Sequence, residues 1–390
     1  MSTGKKREAN FELLRIIAVF MVLILHYLSH SGSLIVSDAP MTGRQITGQF
    51  IDSMCIVAVN VWVLISGYFL SKKSFKLTRI LKLLAEVMFY TIVIYLIMLI
   101  VCPDAVAEIG GAYQTVLFFF PVSSAQFNFV TFYLLLYVIA PVLNAGIEHL
   151  SEKQLKTVIF GLLFWLCFIK SIVPVQFALD KNGYSLDWYI CLYLIAAYIG
   201  RYDIKVLKSK RSGAVVYIIS VLILFAVDTG FHEIIYNTGR FRTCENITSD
   251  YNYIFCLTGA LGLFTAFRYM KIKEGFIADT ARRLAPFSLG IYLIHEHGLI
   301  RGRWLTWMCA IFGDVPENPA LFAGHLMACV AVLFICCAIA DWLRSLLFDG
   351  VGRVCADTKL AGRLKKADTE LAGCLNKSDT EPAKPDSDKI

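Results

Sequence analysis

The sequence predicts an all-α, polytopic membrane protein of about ten transmembrane helices with both termini in the cytoplasm, and three observations predict it. Hydrophobic residues make up 57% of the 390 and charged residues only 17%, whereas soluble domains run at roughly 45–50% apolar and about 25% charged. Apolar runs of about twenty residues recur along the whole length, each long enough at 1.5 Å per residue to cross a hydrocarbon core about 30 Å thick. The basic residues, finally, sort by loop. A soluble globular enzyme is excluded.

The first span, near residues 11–28, runs on for about eighteen apolar residues and contains Arg15 and His26, so it reads as a membrane helix and not as a cleaved signal with a short apolar region. The second, 46–70, carries Asn60 and the run Ser66-Gly67-Tyr68, whose small residues allow close helix approach. The third, 80–101, follows a basic loop. Val116 to Pro121 is apolar but too short to cross, and reads as a re-entrant or interfacial piece. Seven further spans fall near 127–146, 157–174, 186–204, 213–229, 251–270, 285–303 and 320–347. With the N-terminus inside, the inner segments hold 29 Lys and Arg and the outer segments seven, with Arg15 inside the first span completing the 37. That asymmetry places both termini in the cytoplasm. The formal charge of +7 is thereby a matter of topology, and no nucleic-acid partner is expected.

The composition changes after Phe348. Residues 356–366, 367–377 and 378–388 are three copies of an eleven-residue unit, so the chain divides into a membrane domain, 1–350, and a cytoplasmic low-complexity tail, 351–390. The period aligns Leu360, Leu364, Leu371 and Leu375 on one stripe, yet a solvated appendage is the favoured reading. The twelve cysteines show no metal-type pairing, since Cys336 and Cys337 adjoin inside an apolar run. Most are expected as small packing residues, although Cys102 and Cys244 both fall in outer segments, where a disulfide is permitted.

Ionisable groups inside the membrane cost a few kcal/mol unless they face protein or water. Arg15 and His26 lie eleven residues apart, which is about 16 Å along a helix and within about 20° of three full turns. They share one face. Glu12, one turn before Arg15, is placed to pair with it. His295, in Ser288-Leu-Gly-Ile-Tyr-Leu-Ile-His295, is a second intramembrane histidine and His297 follows it; either suits acid–base chemistry. Taken singly, each has a plain alternative: Arg15 as a snorkelling anchor, the histidines as hydrogen-bonded packing residues, and Asn60 with Ser66 and Gly67 as helix-contact residues. Asp52, Glu86, Asp228 and Asp341 suggest only interior polar contacts. Lys72, Lys73, Lys76, Arg79 and Lys82 crowd the loop after the second span. Topology and anionic lipid account for them, and a docking patch for a polyphosphorylated ligand is the functional alternative. Glycine-rich phosphate loops, G-x-S-x-G and zinc-type spacings do not occur in the loops.

These residues resemble the acyltransferase-3 family of transmembrane acyltransferases. The family's first helix carries an acidic residue and Arg-x10-His, matched here by Glu12, Arg15 and His26; its second ends in an ISGYFL-like segment, matched with Asn60 and Ser66-Gly67-Tyr68. The fourth helix has Phe132-Tyr133-Leu134, then Tyr137 and Pro141, where the family usually carries Trp at the first position. The ninth supplies SLGIYLIH and His295. The resemblance covers about residues 8–348 and leaves out the repeat tail.

The resemblance implies a multi-pass enzyme of a bacterial plasma membrane that moves an acyl group, typically acetyl, from cytoplasmic acyl-CoA to a hydroxyl of a cell-envelope glycan or lipid-linked sugar, as in exopolysaccharide O-acetylation. Arg15 would steer the donor and His26 serve as general base. Glu12, Asn60, Ser66, Tyr68, Lys72, Lys73, Lys76, Arg79, Tyr133 and His295 would bind the donor or support the pair, with no bound cofactor or metal. Similar membrane domains fused to serine racemases of vancomycin resistance imply amino-acid transport, and a polysaccharide flippase is a third reading. The lack of a fused racemase or extracellular hydrolase favours acyl transfer.

Overall fold

The computed structural model describes residues 6–124, 126–173, 181–204, 206–355 and 359–376, and every regular element among them is helical. Seven segments are long and apolar enough to cross a membrane. α1 (Ala9–His30) is the first. α2 (Gly43–Cys55) and α3 (Ala58–Leu70) form the second, and α4 (Leu77–Val101) is the third. After the short α5 (Pro103–Ala107) and α6 (Ala112–Phe118) come α7 (Asn128–His149), then α8 (Glu152–Leu163), a π-helical stretch at Phe164–Phe168 and α9 (Ile169–Ile172), which together make one span. α10 (Leu186–Arg201), α11 (Lys210–Thr238), α12 (Ile254–Arg268), α13 (Phe276–Leu284), α14 (Ser288–His295), α15 (Trp304–Phe312), α16 (Pro319–Cys355) and α17 (Lys359–Asn376) complete the chain.

Three of the ten expected spans are shorter than a full crossing. The segments 186–204, 251–270 and 285–303 contain helices of 16, 15 and 8 residues. The first two are shielded by protein: Trp188, Tyr189 and Tyr193 of α10 and Cys256, Ala260 and Phe264 of α12 are fully buried in one core with α3. A helix wholly surrounded by protein need not match the hydrocarbon thickness along its own length. The close contact has a local cause at Gly67, where an added Cβ would lie 3.0 Å from that of Ala196. The apolar piece before the fourth span is the short α6, with Phe118 buried at its end. Pro141 lies within α7.

Helix starts follow local chemistry. Thr42 with Gln45, Ser151 with Gln154 and Ser209 with Ser212 form reciprocal capping boxes on α2, α8 and α11. Gly239 ends α11 in the left-handed region, φ 67°. Cys102 and Cys244 are unpaired, one capping α4 and the other in a 3₁₀ turn after α11; the permitted disulfide is not formed.

The loops meet at two separate ends, and the sorting matches their basic content. At the Arg-rich end, Arg282 Nε donates to the Arg7 carbonyl at 2.9 Å, Asn10 to that of Phe267 at 2.9 Å, and Arg268 pairs with Asp203 at 2.6 Å. Two donors of Arg282 on Glu274 hold its carboxyl down at about 2. At the other end, Arg44 pairs with Glu317 at 2.9 Å, Arg242 with Asp38 at 2.9 Å, and Arg303 with Glu108. α17 docks at the Arg-rich end, where Asp368 accepts from the Thr78 N–H at 3.1 Å and its hydroxyl at 2.6 Å. It thereby caps α4, whose own N-cap Lys76 offers no acceptor. Leu371 of the leucine stripe is exposed, while the side chains of Leu360 and Leu375 lie outside the described residues.

A buried charge cluster fastens α14. Asp341 of α16 accepts from Tyr90 Oη at 2.5 Å and Arg344 Nε at 2.7 Å, and Arg344 also reaches Glu86 at 3.3 Å. The cluster sits against Gly290, where a Cβ would fall 2.2 Å from the Asp341 carboxyl carbon. Gly290→Ala is therefore expected to destabilise the protein by about 1–3 kcal/mol or more through overpacking. Thermal unfolding of the purified variant checks this, with an unchanged midpoint contradicting it.

Candidate functional site

α1 is unbroken from Ala9 to His30, so Arg15 and His26 project from one face at different depths, and each opens on its own cavity. The larger cavity, about 770 Å³, lies at the Arg-rich end. Lys6, Arg7, Arg15, Lys72, Lys73 and Arg79 line it against the carboxylates of Glu8 and Glu12 alone, which leaves a net positive chamber. Glu12 is buried and accepts from Arg15 Nη1 at 2.5 Å, with Arg7 3.6 Å from its second oxygen. Aromatic faces add to this: the Arg15 guanidinium also lies 5.5 Å from the Phe69 ring, and the Lys72 ammonium 3.6 Å from that of Tyr68. Tyr68 and Tyr133 line this chamber too.

The remaining sequence candidates sit behind the wall. Ser66 shares a side-chain hydrogen bond with Tyr133. Lys76 contributes its backbone, which donates to the Tyr137 hydroxyl at 3.2 Å. Asn60 is fully buried, donating to the Tyr251 carbonyl at 2.7 Å and accepting from Trp188 Nε1 at 3.0 Å. It is a strut between α3, α10 and the segment before α12.

The smaller cavity, about 470 Å³, contains His26, Glu296 and Arg301 among Tyr184, Tyr251 and Tyr292. His295 lies directly behind His26, fully buried. Its Nδ1 is 2.7 Å from the Ile291 carbonyl and its Nε2 is 2.8 Å from His26 Nδ1. A carbonyl oxygen can only accept, so His295 carries its proton on Nδ1 and, when neutral, presents a bare Nε2. His26 must then donate from Nδ1, and its Nε2 is left with a free lone pair. Glu296 Oε1 is 3.2 Å from the same Nδ1, and Arg301 stands 3.8 Å from the other oxygen of Glu296. One imidazole is thus oriented by a second imidazole with a carboxylate beside it, as a general base requires.

The nearest ligand atoms of His26, His295 and Glu296 lie within 4.8 Å of one another, a spacing that would also suit a cation. A cation there would take His26 Nδ1 and leave Nε2 protonated, so the group cannot hold a metal and act as a base at Nε2 together. His297 is buried edge-on to Phe118, ring centroids 5.2 Å apart, and lines neither cavity.

Sequence reasoning missed Glu296, Arg301 and the cavity-lining role of Lys6 and Arg7. The only signal for Glu296 was its place between two histidines in His295-Glu296-His297.

A family model described as an acyltransferase domain matches residues 8–342. No curated protein and no solved structure matches the chain. The matched stretch begins before Glu12, the carboxylate on which Arg7 and Arg15 converge. Glu12→Gln leaves both guanidiniums without their counter-charge, and is expected to cost about 1–3 kcal/mol. A lowered unfolding midpoint in detergent checks this, and wild-type behaviour would contradict it.

Proposed function

The chain belongs to the acyltransferase-3 family of membrane acyltransferases, and from that premise we propose that it moves a short acyl group, typically acetyl, from acyl-CoA to a hydroxyl of a cell-envelope glycan or lipid-linked sugar. The observation that carries the reading is the His26 lone pair. Nε2 has no hydrogen-bond partner among the described residues and faces a cavity, while Arg15 on the same helix face lines a cationic chamber nearer the other end.

The donor's phosphates suit the basic chamber, where Arg15 and Arg79 offer planar forks and Lys72 and Lys73 compact charges. The uncharged pantetheine arm then carries the thioester toward His26. Nε2 takes the proton of the acceptor hydroxyl as its oxygen bonds to the thioester carbonyl carbon. The tetrahedral intermediate collapses with cleavage of the carbon–sulfur bond, and the thiolate takes the proton back from His26. Glu296 stabilises the imidazolium formed in between. The polar and aromatic lining of the smaller chamber, with Tyr184, Tyr251 and Tyr292, suits a sugar ring.

The positive-inside bias of 29 to seven basic residues supports an orientation with the basic chamber, both termini and the 71–82 loop in the cytoplasm, where acyl-CoA is found. The ten-span reading counts the three short helices as further crossings, and the burial of α10 and α12 within the bundle supports it. A plasma-membrane location in a bacterium follows from such an acceptor.

His26→Ala in purified, lipid-reconstituted protein is expected to lower transfer about 10²–10⁴-fold with an unchanged unfolding midpoint. Retention of most of the rate would remove His26 as the base. Arg15→Lys keeps the charge but loses the planar fork. It should raise the apparent Michaelis constant for acyl-CoA severalfold, and wild-type kinetics in that variant would show that charge alone suffices.

A further inference from the structure

Three apolar side chains line both chambers: Trp62 of α3, Phe129 of α7 and Leu289 of α14. No charged side chain is shared. The Trp62 and Phe129 rings meet edge to face with centroids 6.1 Å apart and planes at 76°. Phe129 is braced on its far sides by Tyr133, stacked at 6.0 Å, and by Tyr292 at 5.7 Å. Trp62 packs against two of the protein's hydrophobic cores at once. The polar groups stand on either side of this waist, with Arg15, Lys72 and Lys73 on one and His26, Glu296, Arg301 and Lys181 on the other.

We propose that Trp62, closing on Phe129 and Leu289, is a seal between the two chambers that parts for the donor's uncharged arm and otherwise keeps the water of the basic chamber from His26. The chemical consequence rests on the acyl-transfer reading; the barrier itself does not. His26 Nε2 would take a proton from water as readily as from an alcohol. Water oxygen would then bond to the thioester carbonyl carbon, the carbon–sulfur bond would break, and the proton would pass to the thiolate, giving free acid and CoA without any acylated acceptor. Closing off the basic chamber removes one of two water supplies to His26 and holds that hydrolysis to water entering from the acceptor's side. The wall fits the arm it must admit. Phosphates would lose their cationic partners on entering an apolar waist, whereas amides and methylenes cross at much lower cost. Trp62 is a positioning residue in this scheme, since it acts by excluding water from another residue's reaction.

Asn128 lines the smaller chamber only, and Asn128→Cys gives a reporter on the far side of the waist. In full-length protein in proteoliposomes, a membrane-impermeant thiol reagent applied to the face that presents Lys76 should label Cys at 128 at least about tenfold faster with Trp62→Ala than with Trp62 or Trp62→Phe. Peptide-resolved mass spectrometry separates this site from the native cysteines. Labelling from the opposite face at one common rate shows that all variants are folded. The ratio of acceptor-free thioester hydrolysis to transfer should also rise with Trp62→Ala, through the water admitted from the basic chamber. Equal labelling from the Lys76 face in all three variants would overturn the seal, as would a Trp62→Ala protein that stays unlabelled. Labelling that follows Trp62 while the native chain transfers no acyl group would instead keep the seal and sink the acyl-transfer reading.

Discussion

The structure depends on one constraint: every polar group held away from water in the bundle needs a partner, and the two on α1 need theirs at fixed depths. Arg15 finds a buried carboxylate one turn away at Glu12. His26 cannot be served from its own helix, so its partners come from α14 and the turn after it, where His295 and Glu296 both address Nδ1. α14 ends at His295, and Glu296 follows in the same turn with its N–H still bonded to the Tyr292 carbonyl at 3.1 Å, so two consecutive residues approach one nitrogen from neighbouring positions. Non-helical backbone at this depth is tolerated because it is enclosed by protein.

The placement of α14 is in turn set from the other side. Gly290 accepts the Asp341 carboxylate at a distance no Cβ would permit, and Asp341 is itself held by Tyr90 and Arg344. Ile291, the next residue, supplies the carbonyl that fixes the proton of His295 on Nδ1. The tautomer of His26 is therefore coupled through one imidazole and one peptide to a charge cluster on α4 and α16. That cluster gives Asp341 and Glu86 a definite role, beyond the generic interior contacts that their sequence positions suggested.

The class of fold and the two ends of the site were legible because they rest on spacing within a single helix. Arg15 and His26 share a face by arithmetic alone, and the loops that meet at each end are the ones grouped by basic content. What periodicity cannot say is which face meets which. Glu296 went unread because its significance lies in its approach to His26 of another helix, which no local pattern marks. Asn60 belonged to the family-like pattern, yet it ties α3 to Trp188 and Tyr251 instead of lining a chamber. Trp62 stood in the same run and drew no notice, since an aromatic in an apolar span looks like any other core residue. The helices at three of the expected spans are shorter than the pattern suggested, because an apolar run marks burial and cannot tell helix from the turns that flank it.

The same nitrogen has to act twice in the proposed reaction, first removing the acceptor's proton and then returning it to the departing sulfur. With Nδ1 committed to His295, Nε2 is the one basic site, so acceptor oxygen and thioester sulfur must both come within hydrogen-bond reach of it. The sulfur therefore travels past the aromatic waist while the phosphates remain with Arg15, about 16 Å away along α1. A helix that broke between the two residues would lose that fixed separation. Rigidity of α1 is thus a chemical requirement as well as a structural one, and it explains why the cost of keeping an arginine and a histidine on one membrane helix is tolerated.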